Sequence, residues 1–458
     1  MKYPSPMALA AGAGGLALLL CGMLPISALS QGDMGAKTAV FLLLAALAAL
    51  AVWLLHRSGI RSDRLCLALL PIGLAFFLRA ILLDYVANDY EVFLSQWVAT
   101  FRNNGGFAAI KQSIGNYNVP YLYFLAAISY LPIPDLYLIK LFSILFDVLL
   151  AWGGLRLVRH FTGPNSLRPL VCFCALLLLP TVLLNGSLWG QCDAVYGALT
   201  IHALTNALEG KPKTSAALLG IAFSFKLQTV FLLPLWAVFW IAGRVRFRDL
   251  LCFPAAYAVT CVPAVLLGKP LLEVLGVYVA QAQGGTVSLN YNCASVFSMI
   301  PHGAQLNEGL WARVGILAAF ALVFALLAAA FFFRDRLDDH TLLLCGLVLA
   351  LGVPFLLPYM HDRYYFLADV LTLAWACILP RRSPVAALVQ LCSLSAYFTY
   401  LRAKYTLILT FGTHMFTMLG ESLVMLAVLT AVIVLLIRQL ATVPHSSSGK
   451  IKKSRKSG

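Results

Sequence analysis

The sequence predicts an all-α membrane protein, a polytopic helix bundle of about 14 transmembrane helices. Of its 458 residues, 61% are hydrophobic and only 11% are charged, and the mean hydropathy is +0.87. A soluble chain of this length would carry roughly a quarter charged residues. Many segments reach the ~17–25 apolar residues that a spanning helix needs. These runs are continuously apolar rather than alternating, which favours helices over the strands of a β-barrel.

Short basic clusters between the apolar runs predict the topology, because cytoplasmic loops carry an excess of Lys and Arg. The linker 56–64 contains His56, Arg57, Arg61 and Arg64 and is therefore placed inside, so the third run leads to the outer side. The predicted spans are 6–29, 38–55, 65–83, 136–158, 169–184, 194–208, 214–225, 230–241, 250–267, 311–333, 341–357, 366–379, 384–400 and 422–437. Residues 1–30 also resemble a signal peptide, but their apolar run is long for one, so a retained first helix is preferred.

The longest interruption of the apolar chain is the outer loop at about 84–134. Its segment 91–102 has Phe93 and Trp97 at helical spacing, which is typical of a helix that lies in the membrane interface. The segment 119–131 is short for a span and rich in tyrosine. If it crossed the membrane, the basic cluster that follows the next run would be outside. We therefore expect two interfacial helices in this loop.

We expect residues 1–440 to form one integral membrane domain and the basic residues 441–458 to be a disordered cytoplasmic tail. The net charge of +15 is spread over short clusters between apolar runs, so the lipid bilayer rather than nucleic acid is the expected partner. The 11 cysteines have no metal-ligand spacing. The sequence contains neither an internal repeat nor a nucleotide-binding fingerprint.

Under this topology the polar residues near the membrane gather on the outer side. An ionisable group at membrane depth costs at least ~2.5–3.5 kcal/mol, so each is a functional candidate by default. The outer set comprises Asp89, Glu91, Gln191, Asp193, Lys226, Gln228, Asn290, Asn292, His361, Asp362 and Arg363.

Each candidate also has a plain structural interpretation. Asp89 could act as a general base towards a hydroxyl or could cap the following helix. Asp193 could assist the base, bind a metal, hold an acceptor or cap its own helix. Lys226 is suited to a phosphate but could snorkel to the interface. Arg363 is suited to bidentate phosphate contacts or to an ordinary interfacial cluster. Glu91 would point elsewhere on its helix and is interpreted as solvated.

Several ordered motifs carry a resemblance to a known family. DYEVFLSQW (89–97), the Gly pair 105–106 and NYNVPYLY (116–123) resemble the first outer loop of the C-type glycosyltransferases (GT-C). The match is closest to the GPI-mannosyltransferase-like branch with bacterial members. WGQCD (189–193), FKLQ (225–228), NYN (290–292) and MHDRY (360–364) resemble the later motifs of that branch, in the same order. Such members often have FKPQ where this chain has FKLQ, and HERY where it has HDRY. This chain keeps the charged or amide residues of these motifs.

The resemblance implies a GT-C-like fold and an inverting hexosyltransferase that uses a polyprenyl-phosphate-linked sugar, mannose or similar, with a glycan or lipid acceptor. It implies that Asp89 takes the acceptor proton and that Lys226, His361 and Arg363 hold the donor phosphate. Residues expected to assist or to contact the acceptor are Glu91, Gln191, Asp193, Gln228 and Asn290. No obligatory metal is expected, although Mg²⁺ or Mn²⁺ stays open. The implied location is a bacterial plasma membrane, with the active site outside and the C-terminus cytoplasmic.

Two other functions are compatible with the topology. A flippase or transporter of a lipid-linked glycan would have polar residues through the membrane midplane and broken helices in two matching halves. The sequence instead gathers its polar residues at one face and has no repeat. A ligase or phosphotransferase that acts on cell-envelope polymers would share the topology and differ in the group transferred. The glycosyltransferase is the preferred interpretation.

Overall fold

The computed structural model describes residues 4–283, 288–300, 307–401 and 414–442, and this part of the chain is helical almost throughout. The α-helices are α1 (Pro6–Cys21), α2 (Met23–Ser27), α3 (Met34–Arg57), α4 (Ser62–Leu82), α5 (Ser95–Asn103), α6 (Val119–Ile128), α7 (Asp135–Thr162), α8 (Arg168–Leu178), α9 (Pro180–Leu183), α10 (Asp193–Leu208), α11 (Pro212–Phe225), α12 (Pro234–Ile241), α13 (Phe247–Leu250), α14 (Cys252–Leu266), α15 (Leu271–Gln283), α16 (Glu308–Phe332), α17 (Asp339–Leu356), α18 (Phe366–Ile378), α19 (Ser383–Leu401) and α20 (His414–Thr442).

Shorter turns complete the secondary structure of the described residues. Turns of π-helix lie at Tyr90–Leu94 and Leu184–Trp189. Turns of 3-10 helix lie at Gly106–Lys111, Leu227–Phe231, Val296–Met299, Arg334–Arg336 and Pro380–Arg382. Two short strands, β1 (Asn290–Tyr291) and β2 (Met360–His361), pair in parallel. The predicted all-α class is thus confirmed, with this one small strand pair in addition.

Nine helical stretches of the described residues are long and apolar enough to cross a membrane. They are Pro6–Ser27, Met34–Arg57, Ser62–Leu82, Asp135–Thr162, Phe247–Leu266, Glu308–Phe332, Asp339–Leu356, Pro380–Leu401 and Met418–Thr442. A tenth span would be the pair Arg168–Leu178 and Pro180–Trp189, which bends by 46°. Pro180 lies at the bend, where it has no amide hydrogen to continue the preceding helix.

The prediction of about 14 spans is not confirmed. Four predicted spans correspond to α10, α11, α12 and α18, which have only 16, 14, 8 and 13 residues. At 1.5 Å per residue they extend ~12–24 Å, which is less than the ~30 Å of a hydrocarbon core. Nearly every residue of α10 and α18 is buried within the protein. An apolar run can serve as a buried internal helix as well as a crossing, and periodicity alone does not distinguish the two.

The outer loop contains helices at both places where interfacial helices were predicted. The π-turn Tyr90–Leu94 continues into α5, which buries Val98 and Phe101. The helix α6 is also well buried, including Tyr121 and Leu125, so it packs into the bundle. The location of these helices in the membrane interface stays a prediction.

The long helix α7 connects two ends of the bundle. At its start, Asp135 accepts a 2.9 Å hydrogen bond from the hydroxyl of Tyr90. Near its other end, His160 Nε2 lies 2.7 Å from Asp339, which also forms a 2.8 Å ion pair with Arg244. The 28 residues of α7 extend ~42 Å. Linkers that carry the basic clusters therefore meet at one end, and the loop of Asp89 lies at the other, as the charge pattern predicts.

A buried lysine fixes the chain where α4 leads towards Asp89. Lys140 Nζ donates hydrogen bonds of 3.1, 2.8 and 2.6 Å to the carbonyl oxygens of Leu82, Leu83 and Tyr85. Asp84 accepts hydrogen bonds from Ser30 and Tyr137. Although burial raises the pKa of Asp84, these hydrogen bonds outweigh it and lower the pKa below its usual range. The start of the outer loop is therefore held by charged hydrogen bonds rather than by packing alone.

Candidate active site

A cavity of about 1010 Å³ lies at the end of the bundle that carries the loop of Asp89. Its wall combines parts of α5, α6 and α15 with the loops that precede α10, α12 and α18. Six of the residues to which the resemblance assigns a role line it, namely Asp89, Gln191, Lys226, Gln228, His361 and Arg363. Asn292 and Asp362 of the wider outer set line it as well. Known ligand pockets have volumes of about 300–1,000 Å³, so this cavity has room for a substrate.

The carboxylate of Asp89 accepts three hydrogen bonds from side chains of distant segments. Trp189 Nε1 donates to Oδ2 at 3.0 Å, and Gln191 Nε2 donates to the same oxygen at 2.6 Å. The hydroxyl of Tyr400, on α19, donates to Oδ1 at 2.9 Å. Three donors on two oxygens fix the plane of the carboxylate while the residue still lines the cavity. This geometry suits a general base, whose orientation towards its proton matters as much as its basicity.

Trp189 connects this carboxylate to an arginine of the same cavity. Its indole is fully buried, and the guanidinium of Arg363 lies 5.2 Å from the ring centroid, within the range of a cation–π contact. Tyr400 stacks on Trp189 with a centroid distance of 4.2 Å and an interplanar angle of 14°. One rigid ring therefore sets the position of both Asp89 and Arg363.

Two cations share the buried carboxylate of Asp193, the first residue of α10. Lys226 Nζ lies 2.5 Å from Oδ1, and Arg363 Nε lies 3.7 Å from Oδ2. Asn185 donates a further hydrogen bond of 2.8 Å to Asp193 Oδ2. Burial lowers the pKa of Arg363, but the neighbouring carboxylates of Asp193 and Asp362 outweigh it, so the net shift is upward and the guanidinium stays charged. Asp193 is thus placed to hold the two cations at the cavity wall.

The strand pair positions His361 beside these cations. β1 and β2 align Tyr291 with His361, and the two rings stack at a centroid distance of 4.7 Å and an interplanar angle of 10°. Burial, and then the charges of Arg363 and Lys226, lower the pKa of His361 to about 3. The imidazole is therefore neutral at pH 7, and it can offer an N–H donor to an anion but no charge.

Asp362 is a buried carboxyl beside Arg363. Burial is the main cause that raises its pKa to about 7, and the charges of Asp89 and Asp193 add to the shift against the opposing charge of Arg363. Its Oδ1 has no hydrogen-bond partner among the described residues. The cavity therefore contains an acid that changes charge near neutral pH, next to the proposed anion-binding cations.

The remaining predicted site residues take different places. Gln191 and Gln228 line the cavity, and the side chain of Gln228 bonds to Tyr364. Among the residues that the structure describes, the cavity wall does not include Glu91, which is exposed, or Asn290. The amide of Asn290 donates to Ser298 Oγ at 2.7 Å and to the carbonyl of residue 293 at 3.0 Å. Asn290 therefore shapes the turn after β1.

Within the described ranges, no three or more His, Cys, Asp or Glu side chains come together in a group that could hold a metal ion. Asp89 and Asp193 are each engaged by side-chain donors or cations. The geometry thus offers cations and N–H groups for an anion, and a metal requirement stays open.

Sequence reasoning missed some members of this site. Tyr400 looked like an ordinary residue of an apolar span, and its contact with Asp89 joins positions 311 residues apart. One sequence feature could have pointed to Tyr400, namely its spacing of three residues from Tyr397. The ring of Tyr397 contacts the same Trp189 edge-on, at a centroid distance of 5.5 Å. Lys269 and Glu273, an ion pair of 2.7 Å at the cavity wall, also escaped notice.

Comparisons with protein-family models and with curated proteins find no match for this sequence.

We expect Trp189→Phe to slow the proposed transfer reaction by about tenfold to a hundredfold, because it removes one N–H donor to a carboxylate, a hydrogen bond worth ~1.5–3 kcal/mol. The ring contacts with Tyr400 and Arg363 are largely kept. The measurement is the rate per folded molecule. Trp236→Phe is the matched control, since the indole of Trp236 is also buried and donates at 2.9 Å to Ser215, away from the cavity. Equal losses in both variants would contradict the positioning role.

We expect the affinity of this cavity for a singly charged phosphodiester, such as a polyprenyl-phosphate-linked sugar, to fall severalfold between pH 6 and pH 8. Asp362, with a pKa of about 7, is neutral below this value and anionic above it, so it repels an anion at Arg363 only at the higher pH. A phosphodiester does not change its own charge over this range. Equilibrium binding measured at several pH values should show the slope in the wild type and a flat profile in Asp362→Asn. The same slope in both proteins would assign the titration to another group.

Proposed function

We propose that this chain is an integral membrane glycosyltransferase that moves a hexose from a polyprenyl-phosphate-linked donor to an acceptor hydroxyl, with inversion at the anomeric carbon. The observation that carries the proposal is one cavity whose wall contains both an oriented carboxylate, that of Asp89, and the cations Lys226 and Arg363. The resemblance to C-type glycosyltransferases supports the same reaction, with mannose or a similar sugar. The acceptor would be a glycan or a lipid.

The proposed step is a direct displacement at the anomeric carbon. The acceptor oxygen forms a bond to this carbon while the bond from the carbon to the phosphate oxygen breaks. The acceptor proton passes to Asp89, and the electron pair of the broken bond remains on the phosphate. Lys226 and Arg363 stabilise the charge that develops there, and the neutral His361 can donate a hydrogen bond to it. Asp193, Gln191 and Trp189 hold these groups in position.

The surroundings of the site suit a membrane-bound donor. Among the residues that the structure describes, nine or ten apolar helices indicate a lipid environment. The cavity wall includes the apolar side chains Phe93, Leu122 and Leu272 beside the charged ones. A polyprenyl chain needs such apolar contacts, whereas its phosphate needs the cations. By the positive-inside pattern, the cavity faces the outside of a plasma membrane and the C-terminus is cytoplasmic.

A flippase or transporter of a lipid-linked glycan is the alternative. One observation favours it, namely that polar groups also lie inside the bundle away from the cavity wall. Arg79 and Asp147 form a fully buried ion pair of 2.9 Å between α4 and α7, and the carboxyl of Asp369 is buried in α18. Such groups can mark a substrate path through a membrane. The Arg79 guanidinium is, however, already bonded to Asp147 and to two backbone carbonyls.

Reconstitution in sealed vesicles distinguishes the two functions. The purified protein would receive polyprenyl-phosphate-linked [³H]mannose or [³H]glucose together with candidate glycan and lipid acceptors. Transfer predicts labelled acceptor and an equal amount of free polyprenyl phosphate. Movement of the intact donor across the bilayer, with its glycosyl bond unbroken, would support the alternative and contradict the proposed enzyme.

A further inference from the structure

A second cavity, of about 540 Å³, lies between α1, α3 and α4. Its wall is almost wholly apolar and includes Gly15, Leu19 and Ala49. The polar side chain at its wall is His56, the penultimate residue of α3. Because α3 and α4 are candidate membrane spans, this cavity is a groove that lies within the bilayer rather than a water-filled pocket.

Close backbone packing of α1 on α4 creates the groove. A Cβ atom at Gly15 would lie 2.1 Å from the carbonyl oxygen of Leu69, and one at Gly73 would lie 2.1 Å from the carbonyl oxygen of Gly15. The two helices therefore touch backbone to backbone. On the facing side of α3 the side chains of Ala45 and Ala49 are too small to reach α1, which leaves the space open.

The groove lies at the end of the bundle opposite to the candidate active site. It adjoins the first half of α4, from Leu65 to Gly73. The far end of α4 leads into the loop of Asp89, and the 21 residues of this helix extend ~32 Å. Gly73, the part of the groove wall nearest to that loop, lies nine residues before Leu82 at the end of α4, which is ~14 Å of helix. The groove and the candidate active site thus lie towards opposite ends of α4.

The mouth of the groove is positively charged. Arg57 follows His56, and its guanidinium lies 6.0 Å from the ring centroid of Trp53, which is itself part of the groove wall. This contact holds the charge of Arg57 beside the opening. Arg61 follows in the linker, where it forms a 3.4 Å ion pair with Asp63, and Arg64 follows in the first turn of α4. An anion at this mouth would meet cations, as the phosphate of a membrane lipid does at a basic juxtamembrane segment.

We propose that this groove binds one anionic phospholipid, with an acyl chain in the groove and the phosphate at His56 and Arg57. Along α3 the groove runs from Ala45 to His56, which is ~16 Å of helix. This length is about half of a ~30 Å hydrocarbon core, so it matches the acyl chain of one leaflet. The proposal is independent of the catalytic function, and the lipid would stabilise the N-terminal helices against the rest of the bundle.

Lipid titration of the full-length, delipidated protein tests the proposal. Phosphatidylglycerol and phosphatidylcholine with identical acyl chains would be compared by native mass spectrometry and by thermal unfolding. We expect one phosphatidylglycerol molecule to stay bound where phosphatidylcholine is lost, and to raise the unfolding temperature. Arg57→Gln should weaken this binding about fivefold or more. Ala49→Phe, which fills the groove, should abolish it, and Ala49→Leu provides a milder filling should the larger residue prevent folding.

Matched controls separate this site from general lipid effects. Ala46→Phe places the same ring on an exposed position of α3 outside the groove wall, and Arg248→Gln removes an exposed arginine from the short helix α13. Both should bind phosphatidylglycerol as the wild type does. The proposal is overturned by equal retention of the two lipids, by unchanged binding in the groove-filling variants, or by a dimer that these variants convert to a monomer, since a second copy would then occupy the groove.

Discussion

Asp89→Asn is expected to lose about 10²–10⁴-fold in transfer rate while it still binds the donor, because the amide keeps the shape of the side chain but cannot take the acceptor proton. With its oxygen at the Oδ2 position, the amide can still accept from Trp189 and Gln191, and its NH2 group at the Oδ1 position can donate to the hydroxyl of Tyr400, so the site should keep its geometry. The measurement combines single-turnover transfer with equilibrium donor binding, both at equal amounts of folded protein.

Glu91→Gln is the matched control for this variant. It makes the same chemical change two residues later, at an exposed position outside the cavity wall. We expect it to keep nearly full activity. An active Asp89→Asn protein, or equal losses in both variants, would show that the carboxylate of Asp89 is not the base.

Lys226→Met is expected to lower the free energy of unfolding by about 3–5 kcal/mol, because it removes a cation from a buried carboxylate. The side chain of Asp193 is 0% exposed and that of Lys226 is 7% exposed. The double variant Lys226→Met with Asp193→Asn should recover most of this stability, since both charges of the 2.5 Å pair are then removed and Arg363 keeps Asp362 at 3.7 Å. Denaturant or thermal unfolding in a fixed detergent measures both variants.

The transfer rate of the double variant should not recover together with its free energy of unfolding. If Lys226 stabilises the charge on the departing phosphate, the double variant stays about 10²–10³-fold slower than the wild type, although it is stably folded. Asp193→Asn alone should retain more activity than either protein that lacks the lysine. Recovery of the rate together with stability would mean that Lys226 serves the fold and does not contact the donor.

The general location of the site could be predicted because it depends only on which helix ends lie on the same side of the membrane. Charge bias assigns each linker to one side of the membrane. Residues as far apart as Asp89, Lys226 and Arg363 were therefore expected on the same side, and the structure brings them to one cavity. Pairings within the cavity could not be predicted, because they depend on how helices rotate and bend. Asp193 was expected to assist the reaction or to contact the acceptor, and its close pairing with Lys226 was not foreseen.

The predicted number of spans is not confirmed, for a related reason. Hydropathy reports how apolar a segment is but not whether protein or lipid surrounds it. The 18 residues of α17 are long enough to cross, whereas α18 has only 13 residues, and the two helices are buried to the same extent. The motifs were more informative about the site than the number of helices. NYN and HDRY were both singled out in the sequence, and the structure pairs β1 with β2 at these two motifs. Nothing in their sequence predicted that they would touch.

The most direct test of the proposed active site is a cryo-EM structure of Asp89→Asn with a polyprenyl phosphonate analogue of the sugar donor, in which carbon replaces the scissile oxygen. The phosphonate should contact Arg363 and Lys226, and the anomeric carbon should face the side chain at position 89 with room for an acceptor hydroxyl between them. A phosphonate bound away from these cations, or a sugar that points away from position 89, would contradict the proposed mechanism.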